Sequence, residues 1–315
     1  MAVPSEGAAL ISFRYHLVTI VAVFLALGLG LLAGTTVING ALVKRLQIQT
    51  DNLQQRATTA EGQALELKKQ VDELVPYIVA DKLPGANIVL VTYDGTDGNT
   101  LDRTESSLKA AGANVVGVLP MTSRMALTDA DAAKALAKIV GAPADTPPAT
   151  LQHAVAIDLA RRLSAVPPRP GQGGDLLTQL VSEGFIRKGD LSAATLRAVG
   201  QPGDAVVAVT GGASKLDLKP QAFMVPLVDQ LVKGGMPVAA GESTHSADPF
   251  VPLLRDDGNV DDQEIVTVDD LDRAIGGAAL VLGLDQLLNA PASGGGSYGV
   301  DGNSLIPTPS PTPAP

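Results

Sequence analysis

The stretch "GESTHSADP", Gly241 to Pro249, gathers Glu242, Ser243, His245, Ser246 and Asp248 within a few residues. These are the residue types of a nucleophilic hydrolase. There a hydroxyl attacks, an imidazole takes its proton and a carboxylate orients the imidazole. Triads are assembled from separate loops, however, and neighbours in sequence seldom reach the required geometry. The stretch therefore reads as a solvated loop. Two glycine turns, "YDGTDGNT" after Tyr93 and "TGGASK" from Thr210, have the composition to present backbone N–H groups to an anion. The first lacks G-x-G-x-x-G spacing. The second sets Lys215 three residues after Gly212 without completing a phosphate-loop signature. Met121 and Met125, four apart in "PMTSRM", are soft thioether donors of the kind that suits Cu(I), and a helix would align them. Met224, Met236 and His245 are the candidates for a third donor. The loop "RDDGNVDDQE" collects Asp256, Asp257, Asp261, Asp262 and Glu264, but its spacing is not that of a calcium loop. The other histidines, His16 and His153, fall at an apolar edge and inside a helical pattern. No residue is thereby assigned a catalytic, cofactor-binding or metal-ligating role.

The elements that must position these residues follow from periodicity. "NIVLVTYDG" is a continuous apolar run closed by a turn, the pattern of a strand buried on both faces. "TLDRTESSLKAAG" is helical, with Gly112 just past its end, and "ANVVGVLPM" is a second buried strand. Together they form a βαβ unit, which implies a parallel sheet. Helical patterns occupy Thr128 to Gly200 ("DADAAKALAKIVG", "TLQHAVAIDLARRLS", "DLLTQLVSEG" and "LSAATLRAVG"), with a loop at "PPRPGQGG". Strands return as "AVVAVTGG", "MPVAAGES", "EIVTVDD" and "AALVLGL". The helix "KPQAFMVPLVDQLVKGG" lies between the first two, and "DLDRAIGG" between the last two. The fold class is thus a doubly wound, mainly parallel, Rossmann-like α/β domain over residues 86–290. A Gly/Pro-rich tail, 291–315, reads as extended and disordered.

Upstream lies "SFRYHLVTIVAVFLALGLGLLAG". From Leu17 to Ile38 there are 22 residues and no charge. As a helix this run rises roughly 33 Å, enough for a hydrocarbon core. It is longer than a signal-peptide core and has a poor cleavage site. It reads as a retained transmembrane anchor, 17–38, after a short N-terminal segment, 1–16. A cleaved signal and a buried core helix are the alternatives. Gly30 and Gly34 have helix-pairing spacing. From Lys44 leucines and alanines recur every seven residues at Leu46, Leu53, Ala60, Leu67 and Leu74, with Val43, Thr50, Ala57, Ala64 and Val71 three residues before each. These are d and a positions of a coiled coil over 39–76, ended by Pro76. A single helix packed on another domain is the other reading.

Composition narrows the function classes. A net charge of −10 disfavours a phosphate-backbone partner, and the absence of tryptophan leaves little for stacking on bases. The absence of cysteine removes disulfides, thiolate metal sites and thiol nucleophiles together. Lys44, Arg45 and Arg56 on the C-terminal flank outnumber Arg14 on the other, which favours a cytoplasmic coil.

The N-terminal "SFRYHLVTIVAVFLALGLGLLAGTT", the heptad helix, the "VVAVTGG" strand and a late "SYGV" together resemble the actinobacterial MctB-type family, named for copper transport. The likeness runs from about Ser12 to Val300. It implies an envelope protein of copper efflux or resistance, sometimes described as an outer-membrane channel. The continuous apolar strands are not the alternating segments of a membrane barrel. The resemblance and the exported character of the tail set the expected orientation: N-terminus cytoplasmic, α/β domain outside. The expectation is a single-pass, non-enzymatic envelope protein that self-associates through its coil. Copper enters only through the resemblance. The alternatives are an envelope scaffold for cell-wall remodelling or division partners, and an α/β enzyme using the loops after Tyr93 or Thr210. Retention of Leu17–Ile38 is checked by intact mass of the membrane fraction. The expected species keeps the segment, and a mature chain beginning near Gly34 would exclude the anchor.

Overall fold

A computed structural model describes residues 7–164, 174–189 and 205–308. The helix expected over Leu191–Gly200, the loop from Pro167 to Gly173 and the Pro-rich end past residue 308 lie outside the described residues. The chain divides into two compact units, Met1–Lys68 and Lys69–Pro315.

The anchor and the heptads form one element, helix α1 (Gly7–Val79). Its apolar span is Phe13–Gly34, 22 residues with mean hydropathy 2.6 and none of it buried. That length and polarity suit a bilayer crossing. Along the polar part, the hydroxyls of Thr50, Thr58 and Thr59 donate to the carbonyls one turn back, so these weak helix formers satisfy themselves locally. The helix does not stop at Pro76. It runs on to Val79 and ends where Asp81 adopts a left-handed φ of 55°. A proline removes one helical hydrogen bond. Here the flanking Val75 and Val79 are buried in the second unit, and that burial offsets the loss.

The second unit is built on a six-stranded sheet of order β2-β1-β3-β4-β5-β6, every pair parallel. The strands are β1 (Asn87–Tyr93), β2 (Asn114–Met121), β3 (Ala205–Val209), β4 (Val238–Gly241), β5 (Ile265–Val268) and β6 (Gly296–Tyr298). Because both faces are covered, β3, β4 and β5 are buried along their whole length, which is why they read as unbroken apolar runs. One face carries α3 (Ala130–Val140), α4 (Pro148–Ser164), α5 (Leu176–Ser182), α6 (Met224–Lys233) and α7 (Val251–Asp256). The other carries α2 (Gly98–Ala110), α8 (Ala274–Asn289) and the last turns of α1. The direction of strand succession reverses between β1 and β3, which defines the switch point of a doubly wound sheet.

Two elements differ from the expectation. "AALVLGL" is not a strand but the middle of helix α8. A fully apolar run of seven carries no period to separate the two states. The Gly276–Gly277 pair lies within the helix. A Cβ at Gly277 would strike the Ser107 hydroxyl of α2, so the glycine permits close helix approach rather than ending a turn. The sixth strand comes instead from Gly296–Tyr298, inside the segment expected to be a tail. Tyr298 is buried against α8, and the described chain continues through Thr308. Ordered structure therefore extends beyond both ends of 86–290.

Helix α8 is the centre of the second face, and Leu280 on it is fully buried. Leu280→Ala should cost about 2–5 kcal/mol of unfolding free energy by cavity formation. Denaturant unfolding of the solubilised protein reads this, and a loss under about 1 kcal/mol would mean that the α8 face is loosely packed.

Candidate functional site

In a doubly wound sheet the carboxyl ends of the strands are where ligands bind. Here that edge carries a row of polar residues on the α3–α7 face. Tyr93 ends β1, and Thr210, Glu242 and Asp269 each follow directly on β3, β4 and β5. The register continues through them, with Thr210 N–H donating to Gly241 O and Glu242 N–H to Val268 O, both at 2.9 Å. All four side chains are buried. Burial pushes the Tyr93 phenol well above its ordinary range, and a Met224 backbone group moderates that rise. Among the described residues the Thr210 hydroxyl has no hydrogen-bond partner.

The two carboxylates of this row are held by the fold. Glu242 accepts the Phe250 N–H at 2.8 Å at the start of α7. Burial raises its pKa, and the backbone N–H groups of Phe250 and Val251 moderate that rise. Asp269 pairs with Arg255 at 2.7 Å and accepts the N–H groups of Val300 and Asp301 at 2.6 and 3.0 Å. Arg255 also donates to Thr267 Oγ1 at 3.0 Å and to Tyr298 O at 2.9 Å. Gly299, at φ 109°, is required there, because a Cβ would collide with the Asp269 carboxylate.

On the opposite face the equivalent positions are Ser243 and Asp270. Asp270 is fully buried, and among the described residues both its carboxylate oxygens and Ser243 Oγ lack a hydrogen-bond partner. Burial, and then the charge of Asp269, push Asp270 up from 3.8 to about 6. Its neighbour Asp272 behaves oppositely. Burial would raise it, but the Thr244 N–H and hydroxyl, at 2.7 and 2.8 Å, hold it below its ordinary value.

At the switch point the two glycine turns meet each other. Asp97 N–H donates to Gly211 O and Ala247 N–H to Gly212 O, both at 2.9 Å. Gly211 and Gly212 have φ of 113° and 148°, a region that favours glycine, and a Cβ on Gly211 would run into Ser243. The glycines serve backbone approach. The N-terminus of α2 is capped by Asp97, whose carboxylate accepts from Thr100 N–H and Oγ1 at 3.0 and 2.9 Å. A carboxylate in that place occupies the position an anion would take. Beside it lies an open cleft of about 260 Å³ between Tyr93, Met121, Ser123 and Lys215. Asp94 on its rim is paired with Arg187 at 2.6 Å.

The residues singled out from the sequence are dispersed. His245 is exposed, and among the described residues no hydrogen bond joins it to Ser243, Ser246 or Asp248. Asp248 instead bonds Lys219 at 2.7 Å and Leu216 N–H at 2.6 Å, and the Lys219 ammonium is the main cause of its lowered pKa. Met121 and Met125 do not share a helix. Met121 ends β2, Met125 sits in the 3₁₀ turn Ser123–Ala126, and both are buried in the apolar core with Met224. The acidic loop makes local turns, Asn259 to Asp257 at 2.7 Å and Gln263 N–H to Asp261 at 2.9 Å. Among the described residues no group of three His, Cys, Asp or Glu is placed to hold a metal ion. Sequence reasoning missed Arg255, Asp269 and Asp270. The available signal was the Asp-Asp pair directly after a buried strand, where a charge must find a partner or neutralise.

These observations define the class: an α/β head on a helix that begins with a membrane-length apolar span. Its carboxyl-edge acids, Glu242 and Asp269, are tied into the fold. The chain belongs to the family described as "Copper transport outer membrane protein, MctB", whose model matches residues 10–309. It is similar to the copper transporter MctB of Mycobacterium tuberculosis (strain H37Rv) and to that of Mycobacterium bovis. Each is 26% identical over 309 residues, covering 89% of this chain and 94% of the relative. The family and the apolar helix together support membrane localisation.

Asp270 provides a pH test. Its folded pKa of about 6 lies above the ordinary 3.8, so the fold disfavours the ionised form and stability falls as pH rises across that window. Asp270→Asn should therefore raise unfolding free energy by about 1–2 kcal/mol near about pH 8 and leave it nearly unchanged near about pH 4. Equal effects at both pH values would show that Asp270 does not titrate in this window.

Proposed function

We propose that the chain is a single-pass membrane-anchored envelope protein of copper homeostasis that acts by self-association and partner recruitment, with a non-catalytic head. One observation carries this reading. The heptad leucines Leu46, Leu53, Leu67 and Leu74 remain 52, 66, 62 and 58% exposed on a helix continuous with the apolar span. Large apolar side chains repeated along one stripe of a helix are stable in water only when another surface covers them. A second copy leaving the same membrane in the same direction supplies that surface in parallel register. The head stands outside and the N-terminus in the cytoplasm. The family's copper role is the ground for placing this chain in copper homeostasis.

Direct metal handling by the head has less support. Met121, Met125 and Met224 are fully enclosed among Leu, Val and Phe side chains, where thioethers serve as filling. One membrane-length apolar helix does not enclose a pore by itself. Copper status is then influenced through the envelope partners that the helix and head assemble, which also accommodates a scaffold for cell-wall remodelling or division.

Complementation of a deletion strain separates these modes. Leu53→Asp with Leu67→Asp should convert a cross-linked dimer to monomer and lose copper resistance. Met121→Leu with Met125→Leu removes both thioethers at nearly constant volume and should retain it. If the methionine pair abolishes resistance, and the purified protein binds Cu(I) stoichiometrically only with those residues intact, the direct model replaces this one. Unchanged cross-linking in the leucine variant would mean that the stripe is covered by something other than a second copy.

A further inference from the structure

The last repeats of α1 lie within the compact unit that carries the sheet, and there the helix uses two adjacent stripes differently. Val71, Val75 and Val79 face the sheet: Val75 and Val79 are 6 and 0% exposed, and Val71 packs partly against the same core. Leu74, Tyr77 and Ile78, interleaved with them, are 58, 83 and 45% exposed. Continuing the heptad phase, Val71 and Ile78 take a, Leu74 takes d, Val75 takes e and Tyr77 takes g. The head is thus docked on the e and b side of its own helix and reaches Val71 at a, while Leu74 at d, Ile78 at the next a and Tyr77 at g stand open.

We infer that two copies join in parallel through Leu74 and Ile78, bringing their heads side by side, and that Tyr77 of each copy lies against the head of the other. This rests on the coiled-coil reading above and extends it into the head unit. In a parallel pair the g side of one helix faces the e side of its partner. Since the e side is where the head sits, the g-position Tyr77 is directed at the second copy's head. A tyrosine suits such a place, burying a rigid ring at small entropic cost. Three further features of the sequence favour a second copy in this arrangement. The a positions Val43, Val71 and Ile78 are β-branched, and d is leucine at Leu46, Leu53, Leu67 and Leu74, the combination that selects two strands. Arg56 at g and Glu61 at the following e are opposite charges that meet across a parallel pair, and no like-charge g–e pair occurs between Gln49 and Lys68. The membrane span ahead of the coil starts both chains in the same direction.

The absence of cysteine makes the test direct, because each introduced thiol is the sole one in the chain. Full-length protein in membranes carries single substitutions Leu53→Cys, Glu73→Cys, Leu74→Cys or Ile78→Cys and is oxidised mildly. Thiols at a and d of a parallel pair fall within disulfide reach, whereas Glu73 at c points away. Expected are disulfide dimers at positions 53, 74 and 78 and at least about tenfold less at 73. Tyr77→Ala should weaken dimerisation of the solubilised chain about tenfold without altering its thermal unfolding as monomer. Linking at 53 but not at 74 or 78 would leave the coil standing and overturn the extension into the head. No linking at any position would overturn both. Linking at 73 equal to that at 78 would place a different face of the helix in the contact and also overturn the inference. An unaffected Tyr77→Ala dimer would remove the tyrosine from it.

Discussion

The largely enclosed pair of Arg255 and Asp269 is the interaction on which the C-terminal half of the head depends. A carboxylate and a guanidinium this enclosed cost several kcal/mol to desolvate, and they are tolerated only when every polar atom is used. Here the five-donor fork of Arg255 reaches β5 through Thr267, the Asp269 carboxylate, and the end of β6 through Tyr298 O. The carboxylate in turn collects two backbone N–H groups from Val300 and Asp301. Four separate pieces of chain, α7, β5, β6 and the 299–301 turn, are therefore held by one charge pair. Removing one partner would strand the other, at about 3–5 kcal/mol. A sixth strand of three residues could not hold its place on hydrogen bonds alone.

The same pair shapes the edge where a ligand would bind. Asp269 and Asp270 are consecutive, but alternation along the chain sends them to opposite faces. Asp269 finds a guanidinium. Among the described residues Asp270 finds no hydrogen-bond donor, and burial and the charge of Asp269 outweigh the nearby Arg273 and Arg255 in making its ionisation harder. Glu242 is spent on the first turn of α7, and Asp97 on the first turn of α2. Acidic residues that could have furnished chemistry at the carboxyl edge are mostly occupied in fastening helices and loops to it.

The helix that enters the head gives the molecule its second organising feature. Its apolar span, its heptads and its docking stripe are three patterns on one uninterrupted backbone. The apolar span suits hydrocarbon, and the docking stripe lies against the sheet. Pro76 is tolerated within it because Val75 and Val79 are buried around it.

Much of this was legible in the sequence. The 22-residue uncharged run, the heptads and the continuous apolar strands each carry a period or a length that a single environment explains. They identified the membrane-length helix and the parallel α/β class. What the tertiary structure decided lay where local pattern is silent. "AALVLGL" has no period, so only its packing on Val266 and Tyr298 makes it a helix. "SYGV" has the composition of a tail, and becomes a strand because Arg255 and Asp269 capture its carbonyl and N–H groups. Met121 and Met125 are four apart in sequence, but a strand end followed by a 3₁₀ turn cancels the spacing that a helix would have given. Glu242, Ser243 and His245 are neighbours in the chain, yet the first faces α7, the second the opposite side of the sheet, and the third solvent. Spacing along a chain determines contact only when the element is known, and at the ends of strands the fold supplies the element.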